Sequence, residues 1–272
     1  MKRKQIKKIV VLYYSKLEEH IKNIVENFDA KSIHEFRIAV KKMRTFLRVI
    51  SQMGNAKEKI QIPKKLKKAY SVLGIVRDLQ LQQRVLKTAM HKPSNAKEYI
   101  CFLRNRINKL HLVFLNNLSV RLITASKHKT EKLLPHKLTI KKFKDFIQRK
   151  ENRIDTIILS KRFNDKNLHA VRKILKDIFY SLDIYKNAKG SISEASIWMK
   201  DKRYFNKLLD ELGTFQDKCS AVALLNANRL NSFKKYDRKL LQDIKMQLSS
   251  DKEQMRQSLI KKLKPLPNKN IK

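Results

Sequence analysis

Residues 33–50 carry a row of basic side chains at helical spacing. The members of this row stand three or four residues apart: His34, Arg37, Lys41, Arg44 and Arg48. At about 100° per residue they fall within an arc of about 80° on a helix, and Glu35 is the only acid in the segment. Such a row suits phosphate binding, because a guanidinium group binds two phosphate oxygens at once and an ammonium group supplies a mobile point charge.

An apolar stripe of about 120° lies beside the basic row on the same helix. It consists of Phe36, Ala39, Val40, Met43, Phe46, Leu47 and Ile50. The stripe predicts packing against a core. The crowded cations repel one another by about 0.2–0.5 kcal/mol for each neighbouring pair. Either a bound polyanion or acids from a neighbouring helix must offset this repulsion.

The basic row has a second, weaker copy. The segment Leu168–Arg172 with Lys176 repeats the segment Ile33–Arg37 with Lys41. The basic members of the copy are His169, Arg172 and Lys176. Its last two places hold Phe179 and Asp183. The apolar stripe is kept in full, so packing has preserved its pattern while the basic row has lost two members.

A second repeated segment follows each basic row at nearly the same offset. Leu73–Asp78 recurs as Leu212–Asp217, and each segment begins with a Leu-Gly pair. Ordered repeats of this kind indicate two related halves of the chain. A glycine inside a helix costs about 1 kcal/mol relative to alanine, so we expect a bend or a close backbone approach at both glycines.

Basic pairs precede both Leu-Gly segments and are expected to face the same groove as the basic rows. They are Lys64 and Lys68 in the first half and Arg203 and Lys207 in the second. Arg77 has the charge to join the first pair, whereas the matching position holds Gln216. We interpret Asp78 and Asp217 as structural residues that pair with a cation or cap a helix; a metal bound on a polyphosphate is the alternative.

Composition favours an all-α protein with a polyanionic partner. The chain has 272 residues, only four glycines and five prolines, and a formal net charge of +40. A chain this basic repels itself unless a polyanion neutralises it, and nucleic acid, polyphosphate and an anionic membrane surface are the candidates. A general drift towards lysine would explain the number of cations but not their arrangement.

The predicted organisation is two four-helix halves, residues 1–133 and 134–272, divided near 128–135. The first four helices are expected at about 3–28, 32–53, 60–90 and 94–128, and the last four at about 136–163, 166–186, 192–230 and 232–263. Ser32 with Glu35 and Asn95 with Glu98 have the spacing of capping boxes, which would begin the second and fourth helices.

Several classes of function lack sequence support. Cys101 and Cys219 stand far apart without metal-site spacing, which predicts no metal site and fits a reducing cytoplasm. No apolar run approaches the roughly 20 residues that span a bilayer, so no membrane insertion is expected. Phosphoryl transfer needs an acidic metal cluster or a glycine-rich phosphate loop, and neither is visible. We therefore predict a binding protein rather than an enzyme, with no cofactor.

The ordered motifs resemble the CHAD family, the conserved histidine α-helical domain. The resemblance rests on the pattern His34-x-x-Arg37-x-x-x-Lys41-Lys42-x-Arg44, its echo from His169 and the two Leu-Gly-x-x-x-Asp segments. It covers nearly the whole chain. What it implies is a pair of pseudo-twofold-related four-helix bundles with a basic central cavity that binds inorganic polyphosphate, often at polyphosphate granules.

The resemblance also implies which residues line that cavity. Carried over position by position, they are His34, Arg37, Lys41, Lys42, Arg44, His169, Arg172 and Lys176. Two positions depart from the family pattern, because Asp177 stands where a basic residue is usual and Phe179 where arginine is usual. The acidic metal-binding signature of the triphosphatase domain that often precedes this family does not occur here.

The two histidines are expected to open their helices, where free amide groups favour anions. His34 and His169 would then contact phosphate directly, or else fix the local helix geometry. The other histidines, at positions 20, 91, 111, 128 and 136, show no metal-ligand spacing and are interpreted as surface or packing residues.

The predicted function is non-catalytic binding of inorganic polyphosphate in a basic groove between two helical bundles. Sequence-nonspecific binding to the phosphate backbone of RNA or DNA is the alternative, since phosphate attraction is blind to sequence. The aromatic residues fall mainly on apolar arcs, which leaves few platforms for stacking bases. The sequence defines no oligomeric state.

Overall fold

The computed structural model describes residues 1–53, 60–89, 96–116, 120–189, 196, 201–226 and 230–263. Within these ranges the chain forms nine α-helices and no β-strand, which confirms the all-α prediction. The helices are α1 (Arg3–Asn27), α2 (Ala30–Met53), α3 (Lys64–Ala89), α4 (Lys97–Leu115), α5 (Val120–Lys132), α6 (Ile140–Leu159), α7 (Asp165–Lys189), α8 (Lys202–Leu224) and α9 (Lys235–Leu263). None of these helices is long and apolar enough to cross a membrane.

The chain divides into two compact units that draw on both sequence halves. Unit 1 comprises Met1–Gln80, Arg104–Arg149 and Asp177–Ala195, and unit 2 comprises Leu81–Leu103, Lys150–Lys176 and Ser196–Lys272. Helix α7 therefore gives its first part to unit 2 and its second part to unit 1. The division into halves at residue 133, with two four-helix bundles related by a pseudo-twofold axis, stays a prediction.

Unit 1 is built on the packing of α1 against α2 and α5. The predicted apolar stripe of α2 is confirmed, because all seven of its residues are at most 6% exposed. The Tyr14 hydroxyl hydrogen-bonds with Thr130 Oγ1 at 2.7 Å, which ties α1 to α5. The apolar side of α2 is thereby fixed in the core of unit 1. The rotation of the helix about its axis is fixed with it, and so is the side on which its polar residues lie.

Unit 2 is built on the packing of α8 against α9. Phe205, Leu208 and Leu212 are among the buried residues of α8. Lys262 Nζ lies 2.5 Å from Glu211 Oε1, and Lys218 Nζ lies 2.8 Å from Asp251 Oδ2. The acids on these two helices are thus used partly to hold α9 in place.

Helix α2 begins two residues earlier than predicted, because Asp29 rather than Ser32 caps it. Asp29 Oδ1 accepts hydrogen bonds from the amides of Lys31 at 2.7 Å and Ser32 at 2.9 Å. The Ser32 hydroxyl donates to Asp29 Oδ2 at 2.6 Å. The predicted capping box at Ser32 is therefore wrong, because the serine hydroxyl donates a hydrogen bond to Asp29 and it is Asp29 that accepts from the first amides of the helix.

Other predicted helix boundaries also change. Helix α3 begins at Lys64 and not at residue 60, because Pro63 disfavours a helical conformation in the residue before it. The predicted helix at 94–128 is two helices, α4 and α5, and α4 ends before a turn at Asn116, a residue whose side chain competes for backbone hydrogen bonds. Asn95, predicted to cap this helix, lies outside the described residues, as do most of positions 192–200.

Substitution of Asp29 tests the observed start of α2. Asp29→Ala should lower the free energy of unfolding by about 1 kcal/mol at neutral pH, whereas Asp29→Asn should retain most of the cap. The hydrogen bonds from Ser32 hold the pKa of Asp29 below its usual value of 3.8. The stabilisation is therefore fully present above that value and is lost as the pH falls through the lowered pKa. Urea denaturation across this pH range measures it, and a pH-independent difference would contradict it.

Candidate functional site

The first basic face lies on α2 and is defined here by Arg37, Lys41, Arg44 and Arg48. All four residues are half-buried, so their stems lie along neighbouring helices. His34 precedes them and is exposed. Because the opposite side of α2 is locked in the core of unit 1, the predicted basic row is kept on one face.

Arg37 is anchored on helix α3 by two contacts with one tyrosine. Its Nη1 donates a hydrogen bond of 2.8 Å to the carbonyl oxygen of Tyr70. Its guanidinium carbon lies 4.5 Å from the centroid of the Tyr70 ring. One donor and the ring contact hold the planar group in place. Its orientation is therefore set before any ligand arrives.

Gly74 provides the space that this arginine needs. A Cβ atom at Gly74 would stand 2.5 Å from Arg37 Nη1 and 3.3 Å from its Cζ. Both distances are shorter than an ordinary contact. Of the two predicted reasons for a glycine here, a bend or a close backbone approach, Gly74 shows a close approach, and the group that approaches its backbone is an arginine side chain.

Arg44 shares the Tyr70 ring with Arg37. Its guanidinium carbon lies 5.6 Å from the ring centroid. Cation–π attraction of about 0.5–1 kcal/mol per exposed pair offsets part of the repulsion between the two guanidinium groups. The sequence reasoning missed Tyr70, although it stands one helical turn before Gly74; the matching position in the second half holds Leu209, so the repeat gave no signal.

Arg48 is paired with an acid. Its Nη1 forms an ion pair with Asp177 Oδ2, and the buried Thr45 hydroxyl donates to Asp177 Oδ1 at 3.0 Å. Acids from a neighbouring helix were the predicted alternative to a bound polyanion as partners for the basic row. Such an acid is observed for Arg48. Asp177 is also a position where the sequence departs from the family pattern. That departure was the sequence signal from which this ion pair could have been predicted.

Some cations assigned to this site lie elsewhere. Lys42 lies about 120° round α2 from the centre of the first basic face, with its Nζ 5.7 Å from the centroid of the Tyr180 ring. Lys64 and Lys68 are exposed on α3 and lie about 80–120° round that helix from Gly74. Arg77 is half-buried one turn after Gly74. Lys42 therefore stands on another side of α2 than Arg37, and Lys64 and Lys68 stand on other sides of α3 than Gly74.

The second basic face lies in unit 2 and is defined by His169, Arg172 and Lys176 of α7. Arg172 packs against Gly213 of α8, where a Cβ atom would stand 3.4 Å from Nη2 and 3.7 Å from Nε. The arginine–glycine contact of unit 1 thus recurs at the predicted repeat positions. The buried Arg172 Nε has no hydrogen-bond partner among the described residues.

Lys176 is held in a site that disfavours its charged form. Burial lowers its pKa below the usual 10.5, and repulsion from Arg172 lowers it further. Asp210 and Asp217 act in the opposite direction. An added anion would relieve both the desolvation and the repulsion, and the proximity of Asp217 agrees with its interpretation as a partner for a cation.

The remaining predicted residues of unit 2 are less closely tied to this face. Arg203 and Lys207 are exposed on α8.

His169, like His34, is the fifth residue of its helix. Both histidines therefore lie beyond the first four residues with free amide groups, and the expectation that they open their helices is wrong. Among the described residues, no group of three or more His, Cys, Asp or Glu side chains is arranged to hold a metal ion.

Comparison with known proteins identifies similar chains. The family model described as the CHAD domain matches residues 8–226. The CHAD domain from the plant Ricinus communis is similar in structure, with a TM-score of 0.73 and 17% identity over 97% of this chain and 92% of that chain. PptA from Streptomyces chartreusis gives a TM-score of 0.71 and 10% identity over 96% of this chain and 98% of that chain. At these identities the two structures show the fold. No curated protein matched the sequence.

Alanine substitutions at the two glycines test the arginine contacts. Alanine favours a helix over glycine by about 1 kcal/mol. Gly213→Ala should gain most of this in the free energy of unfolding, because its Cβ atom meets Arg172 at ordinary contact distance. Gly74→Ala should gain clearly less, since its Cβ atom would displace Arg37 from the Tyr70 carbonyl. Urea denaturation measures both, and equal gains would show that Arg37 is not held against Gly74.

Proposed function

Because the chain belongs to the CHAD domain family, we propose that it binds inorganic polyphosphate without catalysing a reaction on it. The first and second basic faces supply the binding groups. The observation that carries this proposal is the recurrence of one contact, an arginine held against a helix glycine, at Arg37 with Gly74 and at Arg172 with Gly213.

The chemistry of both faces suits a chain of phosphates. In each face an arginine lies against a helix glycine, and a lysine, Lys41 or Lys176, stands one turn further along the same helix. The Arg37 guanidinium group is fixed by Tyr70. Fixed guanidinium groups lose little entropy when they bind phosphate oxygens, and the lysines add charge. The buried and unpartnered Nε of Arg172 supports the same interpretation, because a phosphate oxygen would satisfy it.

The electrostatic balance also favours an external anion. The chain carries a net charge of +40, and the pKa of Lys176 is lowered by burial and by Arg172. In the first face, Asp177 neutralises Arg48. Arg37, Lys41 and Arg44 are therefore the α2 residues assigned to phosphate, while Lys42, Lys64, Lys68, Arg77, Arg203 and Lys207 are given no direct contact. The convergence of the two faces on one groove stays a prediction.

Nucleic acid is the second candidate, and the surroundings of Tyr70 argue against it. Nonspecific binders of single strands stack bases on aromatic rings. Two guanidinium groups lie over the Tyr70 ring, so this ring does not serve as a platform. A ligand that offers phosphates without bases fits the first basic face better. A cytoplasmic location, with association to polyphosphate granules, stays a prediction.

Charge reversal in the first basic face tests the proposal. The triple variant Arg37→Glu, Lys41→Glu and Arg44→Glu should lose most polyphosphate affinity, because three cations become repulsive. Its salt dependence should fall by about two units of slope, at about 0.7 for each lost phosphate contact on a single chain. Fluorescence anisotropy with labelled polyphosphate at several salt concentrations measures both quantities.

A control with the same change in net charge separates the site from general electrostatics. Lys141, Lys144 and Arg149 are exposed on α6, and their triple reversal to glutamate should weaken binding only slightly. Polyphosphate should also displace RNA and DNA of matched charge from the wild-type protein. Equal competition by all three polyanions, or equal loss in both triple variants, would favour a nonspecific polyanion binder. Release of phosphate that depends on His34 or Asp78 would indicate catalysis.

A further inference from the structure

A recess in unit 1 lies on a different side of α2 from the first basic face. It has a volume of about 590 Å³ and is lined by α1, α2 and the last part of α7. We name it the α1–α2 groove. On α1 its lining runs from Gln5 to His20, a length of about 22 Å at 1.5 Å per residue. A volume of this size lies within the range of small-molecule sites.

The floor of the α1–α2 groove is apolar. It is formed by Ile9, Leu12, Ile38, Ala39 and Ile184. Leu12 stands in the middle of α1 and is 54% exposed. Exposed apolar surface that lines a recess marks a binding site more often than a scattered surface residue does. A ligand with an alkyl chain would cover this floor.

The rim of the groove carries more positive than negative charge. Three lysines, Lys8, Lys16 and Lys42, line it together with two acids, Glu35 and Asp183. Lysine stems can lie along an apolar floor while their ammonium groups reach a ligand at the edge. With the strongly positive chain around it, this rim complements a single negative head group.

Two further polar groups, His20 and Tyr13, add hydrogen-bonding capacity inside the groove. The Nδ1 atom of His20 is buried and has no hydrogen-bond partner among the described residues. Burial, with a further contribution from Asp183, raises the pKa of Tyr13 above its usual value, so its hydroxyl stays protonated and can donate. Sites for small ligands combine such a small number of polar groups with apolar walls.

We propose that the α1–α2 groove binds a single-chain amphipathic anion, an alkyl chain with one carboxylate, sulfate or phosphate head group. The chain covers Leu12 and its apolar neighbours, and the lysines bind the head group. The lining of this site shares no residue with either basic face, and the proposal does not depend on polyphosphate binding. Lys42 lies away from the first basic face and lines this groove, where it binds the head group.

Three probes with the same ten-carbon chain test the head-group preference. Decanoate, decanol and decyltrimethylammonium are titrated into the full chain, the two ionic probes below their micelle concentrations and decanol below its solubility limit, with isothermal titration calorimetry as the readout. Decanoate should bind saturably at one site, at least about tenfold more tightly than decyltrimethylammonium. Absence of saturable decanoate binding, or equal binding of the cationic probe, would overturn the proposal.

A matched pair of variants locates the site. Leu12→Glu places a carboxylate on the floor and should weaken decanoate binding at least about tenfold. Leu159→Glu changes another exposed leucine, which is 79% exposed on α6 and outside the groove, and should leave binding unchanged. Since both positions are exposed, both variants should fold, and circular dichroism checks this. Equal affinity in the two variants would place decanoate elsewhere and overturn the assignment.

The first basic face provides the last control. Lys41→Glu alters that face without changing the lining of the groove, and should leave decanoate affinity within about twofold of wild type. A loss as large as that in Leu12→Glu would show that decanoate binds the basic face, which would overturn the proposal. Because decanoate binding is measured without polyphosphate, its failure is independent of the outcome for the proposed function.

Discussion

The contact between an arginine side chain and a helix glycine determines how both basic faces are built. Arg37 reaches over Gly74 to the carbonyl oxygen of Tyr70, and Arg172 lies against Gly213. Any larger residue at Gly74 would push the guanidinium group away from the helix that holds it. Glycine makes the helix about 1 kcal/mol less stable than alanine would. Its small size lets the positively charged guanidinium group lie beside the neighbouring helix. The rest of each face follows from the helical spacing of the residues after that arginine.

This arrangement concentrates charge that the folded chain must tolerate without a ligand. The two faces do so differently. In the first, Tyr70 lies under two guanidinium groups and Asp177 pairs with Arg48. In the second, burial and then repulsion from Arg172 lower the pKa of Lys176. Asp177 therefore neutralises the last cation of the first face, whereas Asp210 and Asp217 act on Lys176 in the second face.

Helical periodicity was sufficient to predict the all-α class, the apolar stripes of α2 and α7, and the single face shared by Arg37, Lys41, Arg44 and Arg48. The repeat predicted a bend or a close backbone approach at both glycines, and an arginine side chain contacts each of them, more tightly at Gly74 than at Gly213. Contacts between helices could not be predicted this way, because spacing along one helix does not say which residue of another helix it meets. Tyr70 was missed for this reason, and the assignment of Lys64 and Lys68 to the same groove rested on spacing alone. The starts of α2 and α3, at Ala30 and Lys64, depended on local competition for backbone hydrogen bonds at Asp29 and on the geometry of Pro63.

The central claim is that Arg37 and Arg172 are held ready for phosphate. Side-chain NMR of the arginine Nε–Hε groups during a polyphosphate titration tests it most directly, because each arginine reports on its own surroundings. The account predicts early, saturable shifts at Arg37, Arg44 and Arg172, with little change at the exposed Arg149. Uniform shifts over all arginines, or saturation at Arg149 before Arg37, would contradict it.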